Sequence, residues 1–279
     1  MESGRLLRFQ TWRMLVPVQA LFLLPAHTIT VIYQLSGTNM KIKLFTISNL
    51  LTLSNLLCGM IATVAILTDG DLHLAFWLLV LAAVFDFFDG FTARLLHQSS
   101  PIGLQLDSLA DMVSSGVAPT AVMLTLAWQA GSSWWAADTG GPWSWIVLLL
   151  AVGTALRLAK FNIDDTQRTE FCGLPSPAAG LFCASLGLLH AEGMLSLPYE
   201  AVLLAAAATA WLMISPIRMF ALKFHGFGWT GNRLRYLFLG ACVVLILTLG
   251  AYAIPAIFVL YVVVSLVRWL LQGRRATEA

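Results

Sequence analysis

Eight runs of roughly twenty apolar residues, separated by short polar or Gly/Pro-rich connections, constrain this chain more than any other feature. They fall near residues 49–67, 72–95, 107–129, 143–161, 174–191, 198–217, 235–252 and 254–271. A helix needs about 20 apolar residues to cross the hydrocarbon core of a bilayer. Lipid offers no partner for a free backbone N–H or C=O, so spanning segments satisfy them within a helix or a closed barrel. The expected fold class is all-α, a polytopic transmembrane helix bundle of about eight spans. The scarcity of charge agrees: 11% of residues are charged, against about 25% in a soluble domain. A net charge of +2 leaves no basic surface for nucleic acid. Cys58, Cys172, Cys183 and Cys242 have no metal-binding spacing and read as small buried residues.

Charge sets the orientation. With the segment before the first run on the inside, Lys41, Lys43, Arg94, Arg157, Lys160, Arg168, Arg218, Lys223, Arg233, Arg235, Arg268, Arg274 and Arg275 all fall inside. The connections assigned to the outside, near 68–71, 130–142, 192–197 and 253, contain no Lys or Arg. That is the positive-inside pattern, and it requires an even number of spans. Trp128, Trp134, Trp135, Trp143 and Trp145 flank one outside connection, as an interfacial aromatic belt does. Residues 1–39 fit poorly. A span there would be broken by Pro17, Pro25 and His27 and would carry Arg5, Arg8 and Arg13 outside. The expected division is an N-terminal extension over 1–39, a transmembrane domain over 40–273 and an inside tail over 274–279.

The chemistry concentrates in two adjacent segments. Asp86 and Asp89 are three residues apart at the inner end of the second run, and Asp107 and Asp111 are four apart at the start of the third. Both spacings put a pair on one helix face. The two helices are antiparallel neighbours, so the pairs meet at one depth. An ionised side chain at a helix centre in the membrane costs about 2.5–3.5 kcal/mol on insertion scales. A hard divalent cation with oxygen ligands, such as Mg²⁺ or Mn²⁺, compensates for such a cluster. Gly90, Ala93 and Gly103 remove bulk beside the acids, and Arg94 adds a positive charge at the inner mouth.

The full pattern is Asp86-x2-Asp89-Gly90-x2-Ala93-Arg94-x8-Gly103-x3-Asp107-x3-Asp111. It resembles, at every fixed position, the signature of the CDP-alcohol phosphotransferase family. The resemblance implies a site facing the cytoplasm, a homodimer in the cell (inner) membrane, and two divalent metal ions held by Asp86, Asp89, Asp107 and Asp111. It also implies that Asp111 is the general base. Gly90, Ala93 and Arg94 then contact the CDP donor, together with Asn49-Leu50-Leu51-Thr52 at the start of the first core helix and Ser100.

Ser48 to Gly59, Arg157-Leu158-Ala159-Lys160-Phe161-Asn162 and Phe171 to Gly180 are similar to the phosphatidylserine synthase branch of that family. The branch implies CDP-diacylglycerol as donor and L-serine as acceptor. A zwitterionic acceptor calls for a cation at its carboxylate and acceptors at its ammonium, and Arg157, Lys160 and Asn162 are the candidates. Two readings of Arg157 and Lys160 stand side by side: acceptor ligands, or plain inside charges. Another acceptor, glycerol 3-phosphate or an inositol phosphate, would use the same cations. A divalent-cation transporter is the rival from another class, but it would distribute acids along a path through the bilayer.

Overall fold

The computed structural model of the protein describes residues 30–35, 38–43, 45–97, 100–130, 142–164, 171–220 and 229–277. Trp134, Trp135, Arg168 and Lys223, used above for orientation, lie outside the described residues, as do Arg5, Arg8 and Arg13. The chain divides between Thr46 and Ile47 into two units. In the first, β1 (Thr30–Leu35) pairs antiparallel with β2 (Thr38–Lys43), from Thr30 opposite Lys43 to Leu35 opposite Thr38. The division expected after residue 39 falls inside this hairpin, because Met40 pairs with Tyr33.

The second unit is helical. It comprises α1 (Ile47–Asp69), α2 (Leu72–Leu95), α3 (Pro101–Asp111), a π-helical turn (Met112–Val117), α4 (Ala118–Gln129), a 3-10 segment (Pro142–Leu148) and α5 (Leu149–Ile163). Then follow β3 (Phe171–Cys172), α6 (Ser176–Ala191), α7 (Tyr199–Ile214), β4 (Arg218–Met219), α8 (Trp229–Leu249), a 3-10 turn (Gly250–Tyr252) and α9 (Ala253–Thr277). Each of the eight apolar runs is carried by helix. Five stretches are long and apolar enough to cross a membrane: Ile47–Asp69, Leu72–Leu95, Pro101–Gln129, Trp143–Ile163 and Asn232–Leu271, the last containing most of α8 and α9. Ser176–Ala191 and Tyr199–Ile214 are shorter apolar helices. This is a multi-pass membrane protein.

Its packing is that of a bundle in lipid. Large apolar side chains such as Leu57, Ile61, Val64, Trp211 and Leu247 point outward, while Ala62, Ala75, Ala118, Ala179 and Ala206 are fully buried between helices. Small residues let helices approach without a hydrophobic driving force between them. One such close approach is at Gly59, where a Cβ would come within 2.8 Å of the Ser114 backbone. The 101–129 helix runs through the centre, with 78% of its most apolar stretch buried, against 6% for the α8–α9 stretch.

Local chemistry sets the helix ends. Asp71 caps α2 by accepting from the Leu74 N–H at 2.8 Å. Ser100 caps α3 by accepting from Gly103 N–H at 3.1 Å, with Pro101 in the first turn, where its missing N–H costs nothing. The third helix therefore starts ahead of residue 107, and Asp107 sits inside it rather than at its tip. The π-turn follows Asp111 at once: Ala118 N–H reaches back to Val113 O, and Pro119 beyond it has no N–H to restore the α ladder. Ahead of α6, Gly173 adopts φ +83° and donates to Ile217 O at 2.9 Å, and a side chain there would run into Met213 O. This pins the start of α6, and with it Ser176, to the end of α7.

Candidate active site

The C-terminal end of α2 brings Asp86 and Asp89 to one face, and α3 brings Asp107 against them. One carboxylate oxygen from each lies within 4.8 Å of the others. The first helix supports this group with a polar stripe. Thr52 Oγ1 donates to Asp89 Oδ2 at 2.5 Å, and Ser48 Oγ donates to the Asp89 carbonyl at 3.1 Å. Asp89 is buried, and both its carboxylate and its carbonyl are tied to α1.

Asp111 is one helical turn beyond Asp107 and occupies a separate position. It is buried, and its Oδ1 accepts from Asn55 Nδ2 at 3.2 Å. The Asp86 carboxyl links the two positions, being within hydrogen-bonding reach of both Asp107 and Asp111. Beside Asp86 and Asp111 is a cavity of about 10 Å³, walled also by Ser114, Ser115, Pro177, Gly180 and Leu181. That is space for about one water.

A larger cavity of about 220 Å³ opens on the other side of the acids. Ser48, Asn49, Thr52, Asp89, Gly90, Ala93, Arg94, Ser100, Gly103, Leu104 and Asp107 line it. Six of the residues expected to contact a nucleotide donor are thus brought together: Asn49, Thr52, Gly90, Ala93, Arg94 and Ser100. Leu50 and Leu51 are not among the lining residues; they follow Asn49 onto other faces of α1, and Leu50 is exposed. A Cβ on Gly90 would meet nothing within 4 Å, so this glycine leaves room for a ligand. Gly103 has the other role, since a Cβ there would press on Asn49 Oδ1 and Ser100 Oγ at 3.2 Å.

The three candidate acceptor residues diverge. Arg157 is buried, donates from Nη1 to Ser176 Oγ at 3.1 Å, and lies 5.1 Å from the centre of the Phe161 ring. It is also in electrostatic range of Asp111 and Asp86. Lys160 turns outward, with Nζ 3.2 Å from Cys172 Sγ. Asn162 donates from Nδ2 to Ser108 Oγ at 2.8 Å, next to Asp107 on α3. Asn162, five residues after Arg157, faces another side of α5, whereas Lys160, three residues after it, is close in angle and is separated by its exposed end at Cys172.

Asn55, Ser48 and Ser176 had no assigned role in the sequence reading. The first two carried a signal: Ser48, Thr52 and Asn55 recur at helical spacing through an apolar helix, with Gly59 on the same side. Nothing local marks Ser176, whose partner lies 19 residues away on another helix.

The donor set is suited to a hard divalent cation. Its atoms are all carboxylate oxygens, three of them close enough to share one ion, and α2 and α3 hold them without a neutralising Lys or Arg in the cluster itself. Together with a cavity that carries Arg94 and a helix N-terminus, the arrangement can hold a phosphorylated ligand against metal and offer a buried carboxylate, Asp111, to a proton.

Comparison with known proteins bears on the same residues. Residues 45–216 match the model of the CDP-alcohol phosphatidyltransferase family. The chain is similar to the CDP-diacylglycerol–serine O-phosphatidyltransferase of Bacillus subtilis (strain 168), with 32% identity over 180 residues, covering 63% of this chain and 90% of that protein. It is 32% identical over 149 residues to the protein of the same name from Helicobacter pylori (strain J99), covering 52% of this chain and 59% of that one. It is 34% identical over 139 residues to the one from Methanocaldococcus jannaschii, covering 50% and 59%.

Proposed function

The chain belongs to the CDP-alcohol phosphatidyltransferase family, and from that premise we propose that it transfers the phosphatidyl group of CDP-diacylglycerol to L-serine, giving phosphatidylserine and CMP. The observation that carries the reading is the junction of a polar cavity holding Arg94 with the acids Asp86, Asp89 and Asp107, and with Asp111 beyond them. The choice of serine is supported by the relatives, which carry that substrate in their names.

The cytidine and its phosphate enter the cavity lined by Asn49, Thr52, Gly90, Ala93, Arg94 and Ser100. Arg94 pairs with phosphate oxygens as an exposed cation at the mouth. The serine hydroxyl attacks the phosphorus that carries the diacylglycerol. A new P–O bond to serine forms, the P–O bond to the CMP phosphate breaks, and CMP leaves with that electron pair. Asp111 takes the hydroxyl proton as the attack proceeds, since an alcohol of very high pKa needs a positioned base. Arg157, set on Ser176, faces the serine carboxylate.

The family is metal-dependent. Two ions, Mg²⁺ or Mn²⁺, are the proposed occupants, with Asp86, Asp89, Asp107 and Asp111 as their ligands. When bound, they neutralise the diphosphate and polarise its oxygens. Eight spans, a site on the cytoplasmic side of the cell (inner) membrane and a homodimer complete the reading. The charge asymmetry supports the orientation, and the family resemblance supports the dimer. An acceptor screen on purified protein with CDP-diacylglycerol and Mn²⁺ or Mg²⁺ is the test. CMP release with serine, and not with glycerol 3-phosphate or inositol phosphate, is expected. Release with one of the others alone would reject serine.

A further inference from the structure

A second cavity lies on the far side of the acids from the nucleotide pocket, between α6 and α9. Its volume is about 330 Å³, and Ala178, Leu181, Phe182, Ile257, Phe258 and Tyr261 form much of its wall. Among the described residues no charged side chain lines it, and its one hydroxyl, that of Tyr261, donates to Phe220 O at 3.1 Å. Phe182 and Phe258 stack across the two helices with ring centroids 4.0 Å apart, which holds α9 against α6 at this level. The wall on α9 extends from Ile254 to Tyr261, two turns of helix, so the groove is long in the direction of the helices.

Position is what gives this groove a ligand. Leu181 lines both the groove and the small cavity that contains the carboxyls of Asp86 and Asp111. Three compartments therefore follow one another: the polar cavity with Arg94, the acids, and the apolar groove. A CDP-linked lipid has the same order of chemistry, with nucleotide, diphosphate and hydrocarbon. With its diphosphate at the acids and its nucleotide in the polar cavity, the apolar groove beyond Leu181 continues the same order toward its hydrocarbon. Another cavity of about 200 Å³, at Trp143, Tyr199, Glu200 and Leu203, shares no wall with the acids among the described residues.

We propose that the groove between α6 and α9 seats one fatty acyl chain of the lipid donor. This rests on the donor reading above and adds a determinant of chain length outside the matched family region, since α9 lies beyond residue 216. Ala178→Trp and Ile257→Trp fill the groove from opposite walls. For each, kcat/KM is measured with dihexanoyl and dioleoyl CDP-diacylglycerol in mixed micelles. The expected result is a fall of about tenfold in the dioleoyl-to-dihexanoyl ratio, the effect of roughly two methylenes no longer buried. Leu203→Trp, in the unconnected cavity, should keep the wild-type ratio. An unchanged ratio in both groove variants overturns the proposal.

A second measurement needs no variant to fold. CDP-diacylglycerol with a diazirine at one acyl terminus is photolysed on the wild-type protein and the labelled peptides are identified. Label on 175–182 or 254–261 that disappears with excess unlabelled CDP-diacylglycerol supports the proposal. Label elsewhere, or label that resists competition as a bulk-lipid contact would, overturns it. Labelling does not depend on the acceptor, so a failure to use serine in the acceptor screen remains a separate result.

Discussion

Asn55 of α1 donates a 3.2 Å hydrogen bond from Nδ2 to Oδ1 of Asp111, while its own buried carbonyl oxygen has no partner among the described residues. The contact joins positions 56 residues apart and ties one oxygen of the proposed base to α1. Asn55→Leu keeps the volume and removes the donor. Leaving a buried acceptor unsatisfied costs about 1–3 kcal/mol, so kcat should fall roughly 5- to 100-fold with the KM of both substrates little changed. Steady-state kinetics check this, and an unaltered kcat would remove Asn55 from the positioning of Asp111.

Asp111→Asn keeps the shape of the side chain and its contact with Asn55 but takes no proton. Transfer should drop by the 10²–10⁴-fold typical of a lost general base, while CDP-lipid still binds in a direct binding assay. Full activity would exclude Asp111 as base.

Two glycines should part company. Gly90→Ala meets no atom within 4 Å, so melting temperature should be unchanged, while a methyl in the donor cavity raises the apparent KM for CDP-lipid. Arg94→Ala should raise the same KM without a folding defect, because Arg94 is exposed. Gly59→Ala drives a methyl into the Ser114 backbone. Overpacking of this kind costs about 1–3 kcal/mol, to be read as a lower melting temperature in detergent.

Chelation should abolish transfer, and Mg²⁺ or Mn²⁺ should restore it. Binding to the folded state alone also stabilises it, so either ion should raise the melting temperature of the wild type. That rise should shrink in Asp89→Asn, which removes a carboxylate from the three-acid group. A rise of equal size in both proteins would place the ion elsewhere.

Arg157→Gln should raise the KM for serine at least tenfold and leave that for the donor near wild type. A buried guanidinium set on Ser176 and in range of Asp111 is the cation inside the site. Lys160→Ala should have a small effect on either KM, since its ammonium is turned to Cys172. Equal effects of the two substitutions on serine KM would mean that both cations hold the carboxylate.

Much of this site was legible in the chain because it is built from short-range periodicities. Asp86 with Asp89 and Asp107 with Asp111 share helix faces by spacing alone, and a short connection between the two helices makes the pairs meet. Six donor-cavity residues followed from the motif and the start of α1. Leu50 and Leu51 did not join them, since a run of four consecutive helical residues points in four directions. The same geometry separates Asn162, five residues on, from Arg157.

The sequence by itself determined the helical class, the placement of the apolar stretches and the gathering of the acids. Each of these depends on composition or on neighbours within a turn or two. Only the tertiary structure decided that Asp111 stands apart from the group of three, held by Asn55, that Arg157 rests on Ser176, and that a groove opens behind Leu181. Those outcomes depend on which faces of distant helices touch. Close approach at Gly59, the π-turn after Asp111 and the tie of Gly173 to the end of α7 set those faces, and their consequences act across dozens of residues. The feature most evident in the sequence, four aspartates in an apolar bundle, thus becomes in the fold three clustered carboxylates and one buried carboxylate tied to Asn55.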